Sequence, residues 1–360
     1  MHTHRVLVLG ASYGSLLASK LVLAGHDVTL VCLPTEADLI NREGTRVRMP
    51  VRGRSERVVL DSRVAPGRLT ADVPEAVDPA GYDLVGLAMQ EPQYRHDSVR
   101  GLLERVGAAA VPCMSIMNMP PLPYLARIPG VDPDACRDCY ADPTVWDVID
   151  PALLTMCSPD PQAVRPPDEP DNVLLVRLPT NFKAAPFERD EHTAILRRLE
   201  ADVDAVRYRD EDGAELELPV KLRVRDSLFV PLAKWSMLLA GNYRCIRPDG
   251  PRPIREAVHD DVAAAREIYD WVRALSIDLG ATEDDLVPFE KYAAAADGLA
   301  NPSSVARAVL AGAPNVERVD RLVQTIAAGR GMRSHAVDEI VALVDGKIAA
   351  NARVAESAPA

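Results

Sequence analysis

Three groups of residues in this chain have types and spacings that could do chemistry. The first is Gly10-Ala11-Ser12-Tyr13-Gly14, directly after the aliphatic run Arg5–Leu9. A strand that breaks into such a turn and re-enters a helix leaves unpaired N–H groups and a positive dipole end at one spot. Gly10 allows the tight turn, Gly14 lets the helix pack closely on the strand, and a pyrophosphate is the natural guest. The usual fingerprint is G-x-G-x-x-G. Here the motif is one residue shorter, and Ser12 stands near the middle glycine's place. The second group is Lys234, Leu238 and Asn242, at i, i+4 and i+8 of a helical pattern and therefore on one face. A lysine ammonium beside a bound carbonyl can polarise it and deliver a proton. An asparagine two turns on can grip a carboxylate or hydroxyl. The third group is acidic, Glu317 with Asp320 one turn later.

Other readings of these residues are weaker. The turn also spells G-x-S-x-G, the nucleophile elbow of esterases. An elbow normally follows several strands, however, and this one follows the first. His259 and His335, which a triad would need, lie in helical text. Cys136 and Cys139 form a lone CxxC, whereas tetrahedral zinc takes four ligands. They read as ordinary thiols, and no metal is assigned. Tyr269 and Trp271 sit in a long amphipathic pattern and read as core or dimer contacts.

The elements that must position these groups alternate over the first part of the chain. Arg5–Leu9 is a strand, Leu16 to Leu23 a helix with Gly25 as its C-terminal cap, and Asp27–Leu33 a second strand. A short helix opening on Thr35 follows, with Thr35 as its cap. Arg46–Val51 with Arg57–Leu60 reads as a hairpin. Tyr82–Met89, Ala110–Met117, Val173–Leu178 and Val220–Val224 read as strands and His192–Val203 as a helix. Ser158–Asp171, with five prolines, reads as a loop. From Pro231 onward helical periodicity takes over, without a strand. The expected fold is therefore α/β, an N-terminal Rossmann-type doubly wound parallel sheet followed by an all-helical C-terminal domain. Residues 1–225 form the dinucleotide-binding domain and 226–355 the helical substrate and dimerisation domain, with the cleft between them.

The second strand bears on which dinucleotide fits. An NAD site usually places Asp or Glu at its C-terminal end to hold the ribose 2′-OH. Here that end reads Val31-Cys32-Leu33-Pro34-Thr35, with no acid until Glu36. A 2′-phosphate meets no repulsion at Cys32 or Thr35, and Arg42 can reach toward it. NADP is expected rather than NAD.

Composition narrows the class further. With 41 basic against 53 acidic residues the net charge is −12, and no basic stripe suggests nucleic acid. The longest nearly apolar stretches fall short of the roughly 20 residues of a membrane span. Nothing at the N-terminus reads as a signal segment, so a cytosolic protein is expected.

The opening VLGASYGSLLASKLVLAGHDVTLV, the helix PLAKWSMLLAGN and Asn301-Pro302-Ser303-Ser304 followed by Glu317 resemble the ketopantoate reductases. The resemblance covers nearly the whole chain as an order of elements. It implies an NADPH-dependent reductase of a small 2-oxo acid, with Lys234 as general acid. It makes Asn118, Asn242, Ser304 and Glu317 substrate contacts, with Asp320 an alternative to Glu317 as the site acid. The cofactor contacts would be Gly10, Ala11, Ser12, Tyr13, Gly14, Thr35, Gln90 and Asn118, the last beside both nicotinamide and substrate. A homodimer is also implied. The chain departs from the family at Leu238, where a second asparagine is usual. It departs again at Ala88-Met89-Gln90, where a lysine usually follows the fourth strand. Losing polar groups there changes which substrate fits. Two other readings remain open. One is an opine-type dehydrogenase reducing an imine of a 2-oxo acid and an amino acid. The other is a catalytically silent NADP-binding sensor.

Overall fold

The computed structural model describes residues 2–209 and 213–357. The chain divides into two compact units. Residues 1–89, 93–117 and 144–226 form the first, and 90–92, 118–143 and 227–360 the second. The expectation of one continuous body over 1–225 is corrected at two places. Residues 90–92 and 118–143 leave the sheet and pack with the helical unit, which no local pattern announces.

In the first unit, β1 (Arg5–Leu9) runs into α1 (Ala11–Leu23), then β2 (Asp27–Val31) and α2 (Pro34–Glu43). Leu16, Leu17 and Leu21 of α1 are buried, and Gly25 ends the helix at φ 87°, the left-handed conformation a glycine cap supplies. Next come β3 (Arg46–Met49), β4 (Val58–Asp61), β5 (Leu69–Asp72), β6 (Leu84–Leu87), α3 (Asp97–Ala108) and β7 (Cys113–Ser115). The short α4 (Leu122–Leu125) belongs to the second unit. The first resumes with β8 (Leu154–Ser158), β9 (Gln162–Val164), β10 (Val173–Leu178), β11 (Phe182–Ala184), α5 (Asp190–Ala205), the small pair β12 (Tyr208–Arg209) and β13 (Glu215–Leu216), and β14 (Leu222–Val224).

The large sheet has the order β14-β11-β8-β7-β6-β1-β2-β5. From β5 to β8 every pairing is parallel, with Val6 registered to Val28 on one side and to Leu84 on the other. That order, 3-2-1-4-5-6 counted along its own strands, is the Rossmann arrangement. The sheet is mixed beyond it, because β11 pairs antiparallel with β8. A second sheet, β4-β3-β10-β9, takes in the expected hairpin and Val173–Leu178. The supposed loop Ser158–Asp171 contributes β9 to it, antiparallel to β10.

The second unit continues with α6 (Lys234–Met237), a π-turn over Leu238–Asn242, and the tiny hairpin β15 (Ile246–Arg247) and β16 (Gly250–Pro251). The hairpin corrects the expectation of no strand in this half. The helices α7 (Ile254–His259), α8 (Val262–Asp278), α9 (Phe289–Ala296), α10 (Ser304–Leu310), α11 (Val319–Gly329) and α12 (His335–Ser357) complete it. Tyr269, Phe289 and Tyr292 pack as a ring cluster, with Tyr269 and Tyr292 stacked at 5.3 Å. Trp271, next to that cluster in sequence, is half-buried. Among the described residues no helix is long and apolar enough to cross a membrane.

Candidate active site

The glycine turn sits where the strand order reverses, between β1 and β6, which is where ligands settle in open parallel sheets. Gly10 takes φ 101° and donates its N–H to Val31 O at 2.9 Å. A Cβ there would lie 2.6 Å from Met89 Cγ and 3.0 Å from Ala88 O, and one on Gly14 would lie 2.6 Å from Val8 Cγ1. Only glycine fits either place. No side chain caps α1, so its first N–H groups stay available to a ligand. Ala11 is buried and Ser12 is exposed. Tyr13 is turned away, its hydroxyl donating to Pro161 O at 2.7 Å and its ring edge-on to Phe182. Burial raises that phenol well above its usual pKa. Tyr13 therefore offers a ligand main chain rather than ring. The cradle has the form a pyrophosphate needs.

At the end of β2 two expectations change. Thr35 is exposed inside the first turn of α2, and Leu33 holds the cap position. Pro34 at the first helical position presets φ and starts the helix two residues earlier than a Thr35 cap would. Arg42 stands in the last turn of α2, the end far from Cys32, and its guanidinium is paired with Glu43 at 3.0 Å. The cation near Cys32 is instead Arg165, from the proline-rich segment, which pairs with Glu36. Sequence reading missed it because a residue in a stretch without periodicity gives no sign of where it points.

In the second unit a pocket is lined by Gln90, Asn118, Leu238, Asn242, Ser304 and Glu317, with Tyr243, Val305 and Val316. Its cavity is about 20 Å³, room for about one water, and it opens to solvent. The segments Gln90–Pro92 and Asn118–Pro143 supply two of these residues, the π-turn and the residue after it three, and the region around α10 and α11 the remaining four. Glu317 is 7% exposed. Burial pushes its carboxyl above the usual range. The Asn118 amide, the main-chain N–H groups of Glu91 and Met119 and the charge of Lys234 pull it back. Asn118 Nδ2 donates to Glu317 Oε2 at 3.1 Å, while Asn118 Oδ1 is buried with no hydrogen-bond partner among the described residues. Such an acceptor costs free energy until something donates to it.

Two further side chains hold the pocket's frame. Tyr243 donates to Glu317 O at 2.5 Å and accepts from Val319 N at 2.9 Å. Ser303 caps α10, accepting from Ala306 N at 3.2 Å while donating to Asn242 O at 2.7 Å. Both were missed from sequence, since a buried tyrosine and a cap serine are ordinary in any fold. Lys234 is half-buried, and its charge reaches Glu317. Asp320 is fully buried and held by Arg318 through two contacts of 3.0 Å, so it does not face the pocket. Cys136 and Cys139 are buried, with the Cys136 thiol pushed up to about 12 by desolvation.

No family model matches the sequence, and no curated protein matches it in sequence. Solved structures do match in fold. The 2-dehydropantoate 2-reductase of Methylococcus capsulatus superposes with a TM-score of 0.64 at 12% identity, covering 96% of this chain and 97% of its own. The fold is that of the ketopantoate reductases. A dimeric ketopantoate reductase from Staphylococcus aureus gives 0.56 at 11% identity, over 96% of this chain and 99% of its own. A D-mandelate dehydrogenase, in a ternary structure with NADH and anilino(oxo)acetate, gives 0.61 at 12%, over 97% and 99%. The ketopantoate-reductase fold thus extends along nearly the whole chain.

Proposed function

We propose that this chain is a pyridine-nucleotide-dependent reductase of a small 2-oxo acid, with the Rossmann unit holding the dinucleotide and the helical unit the substrate. The observation that carries the reading is the pocket itself. Asn118, Asn242, Ser304 and Glu317, four polar residues from distant parts of the sequence, line one small cavity, and one buried acceptor in it has no partner among the described residues. A product hydroxyl or a substrate donor would satisfy Asn118 Oδ1. The carboxylate of a 2-oxo acid would find donors in Asn242, Ser304 and a Glu317 that burial inclines to keep its proton.

The dinucleotide fits the cradle that Gly10 and Gly14 leave open, with Ala11 and Ser12 offering main-chain N–H groups to the pyrophosphate; bound there, it supplies the hydride. Lys234 holds the proton delivered to the carbonyl oxygen, and its positive charge favours the alkoxide that develops. The ketopantoate reductases and the D-mandelate dehydrogenase that share the fold support the 2-oxo acid class. NADP in preference to NAD, a cytosolic setting and a homodimer complete the proposal, the dimer resting on the dimeric relative.

Leu238 in the pocket wall favours a second reading, a silent NADP-binding sensor, since it puts an apolar side chain where the resemblance expects an amide. One assay separates the readings. NADPH oxidation is followed with a panel of 2-oxo acids, with and without amines. Turnover with an oxo acid alone supports the reductase. A strict need for amine points to imine reduction, and binding without any turnover points to the sensor.

A further inference from the structure

In doubly wound sheets the adenosine ribose lies at the C-terminal end of the second strand, and the groups there decide between a 2′-hydroxyl and a 2′-phosphate. Here the strand ends at Val31, and its continuation Cys32-Leu33-Pro34 carries no charge. Charge is brought to this corner from elsewhere. β9, Gln162–Val164, is paired with β10, which fixes the backbone up to Arg165. The Arg165 side chain, 25% exposed, pairs through Nη2 with Glu36, which is 11% exposed in the first turn of α2. Its Nη1 lies 3.9 Å from Asp171, a largely exposed and therefore weakly held partner. Arg165 and Asp72 both lie close enough to act on Cys32, and Asp72 is engaged by Val73 N at 2.8 Å. Beside this charge Leu33 stands 70% exposed, an apolar side chain left in water at the turn between β2 and α2. The corner thus combines a forked cation, an internal anion holding it, and an apolar surface the size of a base edge.

We infer that Arg165 is the residue that binds the 2′-phosphate of NADP(H), with Glu36 as the built-in anion that the phosphate displaces and Leu33 as the apolar seat of the adenine. The inference rests on the reading of Gly10–Gly14 as a dinucleotide cradle. A phosphate dianion offers a guanidinium two parallel hydrogen bonds and a larger charge than one carboxylate, so it wins the exchange. A 2′-hydroxyl offers neither. With NADH the arginine stays on Glu36 and adds little, so Arg165 acts on selectivity and not on dinucleotide binding as such. The cation that sequence reading sought in Arg42 is thereby supplied from a segment some 130 residues away.

The test uses the full chain and reads binding, not turnover. NADPH and NADH are titrated by fluorescence, and adenosine 2′,5′-bisphosphate and 5′-AMP are compared as competitors. Arg165→Gln should weaken NADPH by about 10- to 100-fold, the worth of a charged hydrogen-bonded pair. It should leave NADH within about twofold and remove the advantage of the bisphosphate over 5′-AMP. Glu36→Gln should tighten NADPH, because it removes the competing anion. Equal effects of Arg165→Gln on both nucleotides, or no effect on either, overturn the inference while leaving the dinucleotide reading intact. If wild-type protein binds neither nucleotide, that reading falls as well. Should Arg165→Gln melt well below the wild type, Glu36→Gln decides alone, and an unchanged NADPH-to-NADH ratio overturns the inference.

Discussion

At the scale of single residues the proposed function gives roles to Glu317 and Lys234, and each can be tested on its own. Burial holds the Glu317 carboxyl above the usual range, so the folded chain keeps that proton at pH values where the unfolded chain has lost it. Between the unfolded value, about 4.3, and the higher folded one, the native state binds more protons, and stability falls as pH rises. Glu317→Gln removes this loss. Melting temperatures of wild type and variant should run close together near pH 4 and separate by pH 7.5 in the variant's favour; parallel curves would contradict the shift. For Lys234, replacement by Ala should cut kcat by about 10²–10⁴, the usual worth of a general acid, while NADPH binding stays unchanged. Asn242→Ala should raise KM more than it lowers kcat if the side chain mainly grips substrate. A folded Lys234→Ala variant with near-full activity would sink the proposed mechanism and leave Glu317 as the acid to test. Gln90, Asn118, Leu238, Asn242, Ser304 and Glu317, which line one pocket, had each been named from resemblance or spacing. Tyr243, Ser303 and Arg165 were not, because their partners lie 61 to 129 residues away.

Among the elements, the segment after Pro231 differs most from its sequence pattern. Apolar residues recur there at helical spacing, yet the chain makes a single α-turn at Lys234–Met237 and then a π-turn, with Tyr292 donating to Met237 O at 3.1 Å. Turns of this kind gather at functional sites, where an extra residue re-aims side chains. Here two of its residues, Leu238 and Asn242, belong to the pocket wall. Periodicity could not reveal this, since one inserted residue leaves the apolar count unchanged. At the end of α3 the chain also departs from its usual chemistry. Ala110 takes φ 51° one residue past the C-cap, a place where glycine is customary, and it is exposed. The left-handed conformation costs a non-glycine residue about 1–2 kcal/mol, against about 0.5–1 kcal/mol of extra entropy lost by glycine. Ala110→Gly should therefore stabilise the protein by about 0.5–1 kcal/mol in urea unfolding, with no change in the slope of the transition. A loss of stability would mean that the strain is relieved elsewhere.

The whole molecule was legible in its broad class: strand and helix alternate up to Val224 and helices dominate after it, which is how the chain reads and folds. The exchange of segments was not legible. Asn118–Pro143 has neither a helical nor an alternating period, so nothing in it says that its partners come after residue 226. Those partners are specific: Tyr124 donates to Leu228 O at 2.6 Å, and Cys139 Sγ lies 3.5 Å from Thr325 Oγ1. Met119, Leu122, Tyr124 and Leu125 are all buried by the completed unit. This arrangement sets a timetable for synthesis. When a ribosome has added residue 226, every part of the first unit exists, yet the segment from 118 to 143 has nothing to fold against. About a hundred more residues must emerge before α11 is available, which at 5–20 residues per second is on the order of ten seconds. Leu228, the partner of Tyr124, emerges at once, but Thr325, the partner of Cys139, does not, so this segment completes its packing only after the helical unit has been made.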